Sequence, residues 1–182
     1  MAAYCEFAIN DDLHKPYHDL EYGFPLNDDS LLFERFILEI NQAGLSWTTI
    51  LKKRPAFRQA YNGFDIDLVA AYDEMDRNRL LNNAGIIRNR LKVNAAIENA
   101  RRLLRIREES GSFLGWLNHH HPRSKEEWII LFKKTFLFTG REIVNEFLMS
   151  TGYLPGAHKP SCPIYEKVIA CNPPWISNGS GR

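Results

Sequence analysis

The chain has 182 residues, 45% hydrophobic and 25% charged, with a formal net charge of +1. This suits one globular domain spanning 1–182 and excludes both a disordered chain and a globally basic binder, so any nucleic-acid contact must come from a local patch. No stretch reaches the roughly 18 uninterrupted apolar residues of a membrane helix, and three cysteines, an odd number, do not suggest a disulfide framework.

The start, "MAAYCEFAINDD", has neither the basic nor the apolar region of a signal peptide, so a cytoplasmic monomer is expected. Asp28, Asp29 and Ser30 are N-cap residues ahead of a helix on which Phe33, Phe36, Ile37 and Ile40 recur at helical spacing, and Gly44 ends it. "TTILKKRPAFRQAYNGF" reads as a helix interrupted at Pro55, because proline lacks the N–H that a helix interior requires. "IDLVAAYDEMDRNRLLNNAG" carries two short helical segments ending at Gly85. From Arg90 to Glu109 comes a long amphipathic helix with Val93, Ile97, Ala100 and Leu104 on one stripe. His119, His120 and His121 are placed in a solvated loop. Ser124 and Glu127 have capping-box spacing before the next helix, and "GREIVNEFLMSTG" gives another, closed by Gly152. Beyond it the chain turns proline-rich, and "NPPWISNGSGR" is expected to be irregular and frayed. No alternating strand is apparent. The expected class is all-α.

Three constellations carry chemistry. Leu32, Phe36, Glu39 and Ala43 share one helix face, and the carboxylate is the exception on it. Glu39 must either find a partner or line a cavity that ligand or water enters; Trp47 follows just after the glycine break. A helix-flank Glu reaching solvent or an arginine, and an ordinary core tryptophan, also satisfy this pattern. Around "LLNNAGIIRNRLKV" a hairpin at about 78–104 can offer backbone N–H groups near Gly85 to a phosphate, with Arg88, Arg90 and Lys92 supplying positive charge. Lys52, Lys53 and Arg54 form a second basic cluster. Finally, Cys5 with His18 near the start and His158 with Cys162 near the end are the donors of a closed tetrahedral zinc site. Closing it would clip residues 5–18 to 158–162. Spacing alone leaves unrelated thiols as the simpler reading.

"YHDLEYGFP", "QAGLSWTTILKKR", "AGIIRNRLKV" and the His158/Cys162 ending together resemble the DNA-3-methyladenine glycosylase I family, from Cys5 to about Cys162. The resemblance implies a bacterial helix-hairpin-helix-like fold and a structural zinc on Cys5, His18, His158 and Cys162. It also implies DNA-backbone contacts at Gly85, Arg88, Arg90 and Lys92. The implied activity is monofunctional release of 3-methyladenine from alkylated double-stranded DNA. Glu39 would be the catalytic and base-binding acid, Trp47 the stacking platform, and Tyr17 a base-edge partner. Against the family pattern, Phe7 and Tyr22 each stand where tryptophan is usual. Arg141, Glu142 and, by alignment, Glu146 occupy a helix start that is normally uncharged, which places a second acid among the substrate-binding candidates. These departures leave open a glycosylase of different lesion specificity, or a catalytically silent base- or DNA-binding homologue.

Overall fold

The structure, a computed structural model, describes residues 2–179, and every regular element among them is helical, as expected. No helix among these residues is long and apolar enough to cross a membrane. The chain divides into two compact units: one built from residues up to Leu26 with those from Asn145 on, the other from Asn27–Val144.

The terminal unit begins with α1 (Ala2–Ala8) and α2 (His14–Leu20). Between them Asp11 Oδ1 accepts the Leu13 and His14 amides at 3.0 and 2.9 Å, satisfying donors that a helix start leaves without partners.

In the central unit, α3 (Asp29–Gln42) is capped by Asp28, whose carboxylate accepts the Leu31 amide. Every residue from Leu32 to Asn41 is buried, polar ones included. α4 (Trp47–Ala60) packs against it and runs unbroken through Pro55. Pro55 is exposed while Ile50, Leu51, Phe57 and Ala60 are buried, so packing of the inner face carries the helix across the missing N–H. Two short helices follow, α5 (Ile66–Ala70) and α6 (Glu74–Asn82), then the long α7 (Arg90–Ser110). The hairpin segment is thus α6, a loop over 83–89, and α7.

Beyond α7, α8 (Phe113–His120) takes in His119 and His120, correcting the loop expected there. Ser112 caps it, Phe113, Trp116 and Leu117 bury one face, and the His120 ring meets Trp116 edge-on at 4.9 Å. α9 (Lys125–Thr135) has the full capping box of Ser124 and Glu127. Phe36, Phe113, Trp116, Phe132 and Phe136 then meet, several edge to face, as the aromatic centre of this unit.

α10 (Arg141–Ser150) closes in a Schellman turn: Tyr153 N donates to Leu148 O, Gly152 N to Met149 O, and Gly152 has φ +78°. α11 (Tyr165–Ala170) lies near Cys5 and Cys162, whose small core also takes in Ile164 and Val168. The tail expected to be irregular forms a 3-10 helix over Pro174–Gly179; its last residues, 180–182, lie outside the described part.

Candidate functional site

Cys5, His18, His158 and Cys162 meet in the terminal unit with all four ligand atoms within 4.8 Å of one another and all four side chains buried. Cys5 Sγ to His158 Nδ1 is 3.8 Å, Cys162 Sγ to His158 Nδ1 is 3.6 Å, and Cys162 Sγ to His18 Nε2 is 3.6 Å. Zinc bonds of roughly 2.3 Å to sulfur and 2.0–2.1 Å to nitrogen, set tetrahedrally, would separate S and N by about 3.6 Å, so the residues fit such an ion.

The outer contacts fix which nitrogen each ring offers. His158 Nε2–H donates to the Tyr22 carbonyl at 2.7 Å, leaving Nδ1 for the metal. His18 Nδ1 lies 2.7 Å from Asp19 Oδ1, leaving Nε2. Without the ion, burial pushes the Cys5 thiol up and the His158 imidazole down, away from their charged forms. A bound cation would reverse that preference at the thiol. Two thiolates and two imidazoles would complete four-coordination of such an ion, leaving no position for substrate.

Next to this cluster lie aromatic residues from the same unit. Tyr22 is 6% exposed, and its ring sits 5.7 Å from those of Tyr17 and His158. Its hydroxyl donates to Glu146 Oε2 at 3.2 Å. Tyr17, Tyr22 and Glu146, three of the substrate-binding candidates, are thereby brought together. Phe7 is 50% exposed and packs edge-on against His14. The sequence reading missed Tyr4, which meets Tyr22, His14 and His18 edge-on, and the supporting role of Asp19.

In the central unit, Glu39 is 4% exposed on α3, and Trp47 is the first residue of α4. Between them "QAGL" makes a type II turn: Ala43 has φ −51° and ψ 116°, Gly44 has φ +81°, and Leu45 N donates to Gln42 O at 2.7 Å. Only glycine adopts that second position without strain. Ser46 then caps α4 through the Thr49 amide.

Two of the residues expected at DNA make contacts within the chain. Lys92 is 5% exposed, and its Nζ donates to Asn41 O at 2.8 Å and Ala43 O at 2.7 Å. Its charge meets the carbonyls at the α3 C-terminus, where a helix dipole favours a cation, rather than a phosphate in solvent. Gly85 N is already given to Asn83 Oδ1, and a Cβ there would stand 2.9 Å from Ala56 Cβ, so glycine is required by packing against α4. Lys53 ties down the same loop through Ala84 O and Gly85 O, while Arg54 pairs with Glu34. Arg88 and Arg90 are exposed.

Comparison with known proteins agrees with this geometry. A family model described as methyladenine glycosylase matches residues 7–130. DNA-3-methyladenine glycosylase 1 of Escherichia coli (strain K12) is 36% identical, covering 88% of this chain and 96% of its own. The DNA-3-methyladenine glycosylase of Haemophilus influenzae is 32% identical, covering 90% and 98%. A crystal structure of 3-methyladenine DNA glycosylase I superposes with a TM-score of 0.78 at 35% identity, covering 87% of this chain and 97% of that one. The Staphylococcus aureus enzyme, solved for 3-methyladenine recognition, gives 0.78 at 30% identity, covering 90% and 96%. On sequence, fold and extent of coverage, the chain belongs to the methyladenine glycosylase family.

Proposed function

We propose that the chain is a monofunctional glycosylase that hydrolyses the bond between 3-methyladenine and deoxyribose in alkylated double-stranded DNA, as a step of base-excision repair. The observation that carries this reading is the burial of one carboxylate, Glu39, on a helix whose turn leads straight to Trp47, in a chain of this family.

Methylation at N3 makes adenine cationic and weakens its bond to the sugar, so the enzyme need supply less than for an intact base. The nucleotide is extruded from the stack. Trp47 offers an indole face to the electron-poor ring. Glu39 accepts from the exocyclic amine, and its negative charge complements the lesion. Tyr17 bonds the base edge, and Phe7 and Tyr22 supply aromatic surface. Water adds to the anomeric carbon as the glycosidic electron pair withdraws to the base nitrogen, discharging the ring; the water's proton passes to an acceptor. Neutral adenine is harder both to extrude and to cleave, which gives selectivity.

Strand cleavage would require an amine nucleophile. The buried amine of Lys92 is held by carbonyls and is not offered as such a nucleophile. Arg88 and Arg90 are proposed as phosphate contacts of the helix-hairpin-helix segment, since both are exposed at the start of α7. The ion proposed for the Cys5, His18, His158 and Cys162 set is zinc, supported by the sulfur–nitrogen donors and their spacing. Its contribution is to clip chain segments together; no step passes through it. A cytoplasmic monomer is proposed.

The test is base release. The protein is incubated with methylated duplex DNA and the freed bases are separated by chromatography. Release of 3-methyladenine, lost in Glu39→Gln, is expected. An inactive protein that still binds DNA would overturn the enzymatic reading.

A further inference from the structure

Outside the four-residue cluster, the densest run of metal-binding side chains is His119, His120 and His121. His119 and His120 end α8, and their rings meet edge-on with centres 5.1 Å apart and planes at 73°. His18 and His158, which converge in the Cys/His cluster, stand in nearly the same relation, at 4.6 Å and 77°. Two imidazoles bound to one ion through nitrogens at about 2.0–2.1 Å have ring centres roughly 4.5–5.2 Å apart. The pair on α8 is therefore already spaced to share an ion.

The His120 ring is held in place, because its edge contact at 4.9 Å is with Trp116, one of the buried residues of the same helix. Arg123 Nη2 donates to His120 Nδ1 at 3.4 Å, a long bond, so a cationic group already sits at that lone pair. Arg123 Nε is buried without a hydrogen-bond partner, so the guanidinium is poorly held and an ion displaces it at small cost. Burial, Arg123 and His119 hold the His120 pKa below its ordinary value, so near neutral pH the ring keeps the lone pair that an ion needs. His119 is exposed, and its ring is open to the same ion from solvent.

We propose that His119 and His120 form a second, surface metal site, which binds a divalent ion of the imidazole-preferring class, copper(II) most tightly, by displacing Arg123 from His120 Nδ1. Water completes the coordination. These residues all lie in the central unit, and the site does not depend on the glycosylase reading.

The experiment titrates copper(II) chloride into the full chain, zinc-loaded and freed of excess metal, and follows tryptophan fluorescence together with zinc release. Copper(II) quenches a neighbouring indole, and Trp116 lies against His120. Wild type is expected to show saturable quenching at one equivalent per chain while retaining its zinc. His119→Gln, at an exposed position, should weaken copper binding about 100-fold, the gain lost when two linked donors become one. His120→Gln should do the same, and His121→Gln should leave the affinity unchanged. Arg123→Met should tighten binding several-fold, since a competing cation is gone. Thermal melts check that each variant is folded; if His120→Gln is not, His119→Gln and Arg123→Met decide. Quenching only in step with zinc release would place copper in the Cys/His cluster and overturn the proposal. So would the absence of saturable quenching, equal affinity in wild type and His119→Gln, a loss carried by His121→Gln, or an Arg123→Met variant that binds no more tightly.

Discussion

Lys92 Nζ lies 2.7 Å from the carbonyl oxygen of Ala43 and 2.8 Å from that of Asn41, so an ammonium group closes the C-terminal end of the helix that carries Glu39. The same ammonium stands 6.0 Å from the centre of the Phe138 ring. Burial holds the Lys92 pKa below its ordinary value, yet the carbonyl dipoles suit the charged form. Lys92→Met should cost about 2–3 kcal/mol in chemical denaturation, because carbonyls that bonded a charge are left without it. It should leave the slope of log DNA affinity against log salt unchanged. Arg90→Ala should lower that slope by about one, as loss of one phosphate contact does. Equal slopes lost in both variants would make Lys92 a phosphate ligand after all.

The cluster of Cys5, His18, His158 and Cys162 makes its own prediction through Asp19, which is not one of the four. Its carboxylate orients His18 and is held in turn by Lys15. Asp19→Ala should weaken metal affinity about 10–100-fold, the usual effect of removing an outer partner of a ligating imidazole. Cys162→Ser removes a ligand, so metal content and melting temperature should fall together. Metal analysis by mass spectrometry alongside a thermal melt checks both. Stoichiometric metal retained in Cys162→Ser would mean that the ligand set is wrong.

Much of this was legible in the sequence because it is local. Caps at Asp28 and Ser124 are written within four residues of the donors they satisfy, and the helical spacing of Phe33, Phe36, Ile37 and Ile40 needs no tertiary information. Cys5 and Cys162 could be paired only through family resemblance, since nothing in their spacing says that the chain returns to the same place. The partners of Lys92 were hidden for a related reason. A lysine beside Arg88 and Arg90 in a basic run looks solvated, and only the fold reveals that its stem reaches the end of α3. Pro55 breaks a helix by propensity, but propensity is a weak term where one face is fully buried. The Tyr22–Glu146 bond joins residues far apart in the chain, so each departure was visible singly and their pairing was not.

Glu34 carries a pH prediction. It is 2% exposed, and its carboxylate accepts from Arg54 Nε, Arg58 Nε and Arg58 Nη2, each at 2.7 Å. Burial would raise its pKa, but the hydrogen bonds and charges of the two guanidinium groups outweigh it and hold the carboxyl below its ordinary value. A depressed carboxylate pKa stabilises the fold above the unfolded value, about 4.3, and that stability is lost as pH falls through the folded value. Glu34→Gln should therefore cost about 2–3 kcal/mol near neutrality, less than a wholly buried pair because Arg58 is half exposed. The gap to wild type should narrow as pH drops from about 5 toward 3. Urea melts of both proteins across that range measure it, and a gap independent of pH would exclude ionisation as its cause.

Glu39 separates function from architecture most directly. The residue is 4% exposed in the middle of a helix buried from Leu32 to Asn41, a setting in which a carboxylate can serve either the fold or a ligand. Glutamine keeps its shape and one acceptor but removes the charge. If the carboxylate exists to accept from the exocyclic amine of the base, Glu39→Gln should bind free 3-methyladenine about 10–100-fold more weakly, the value of one charge-assisted hydrogen bond. Its melting temperature should stay within the roughly 2–4 °C that one kcal/mol produces in a chain of this size. Titration calorimetry against the free base and a thermal melt of the same sample give the two numbers. A large fall in melting temperature with unaltered base affinity would assign Glu39 to the core and leave base recognition to other residues.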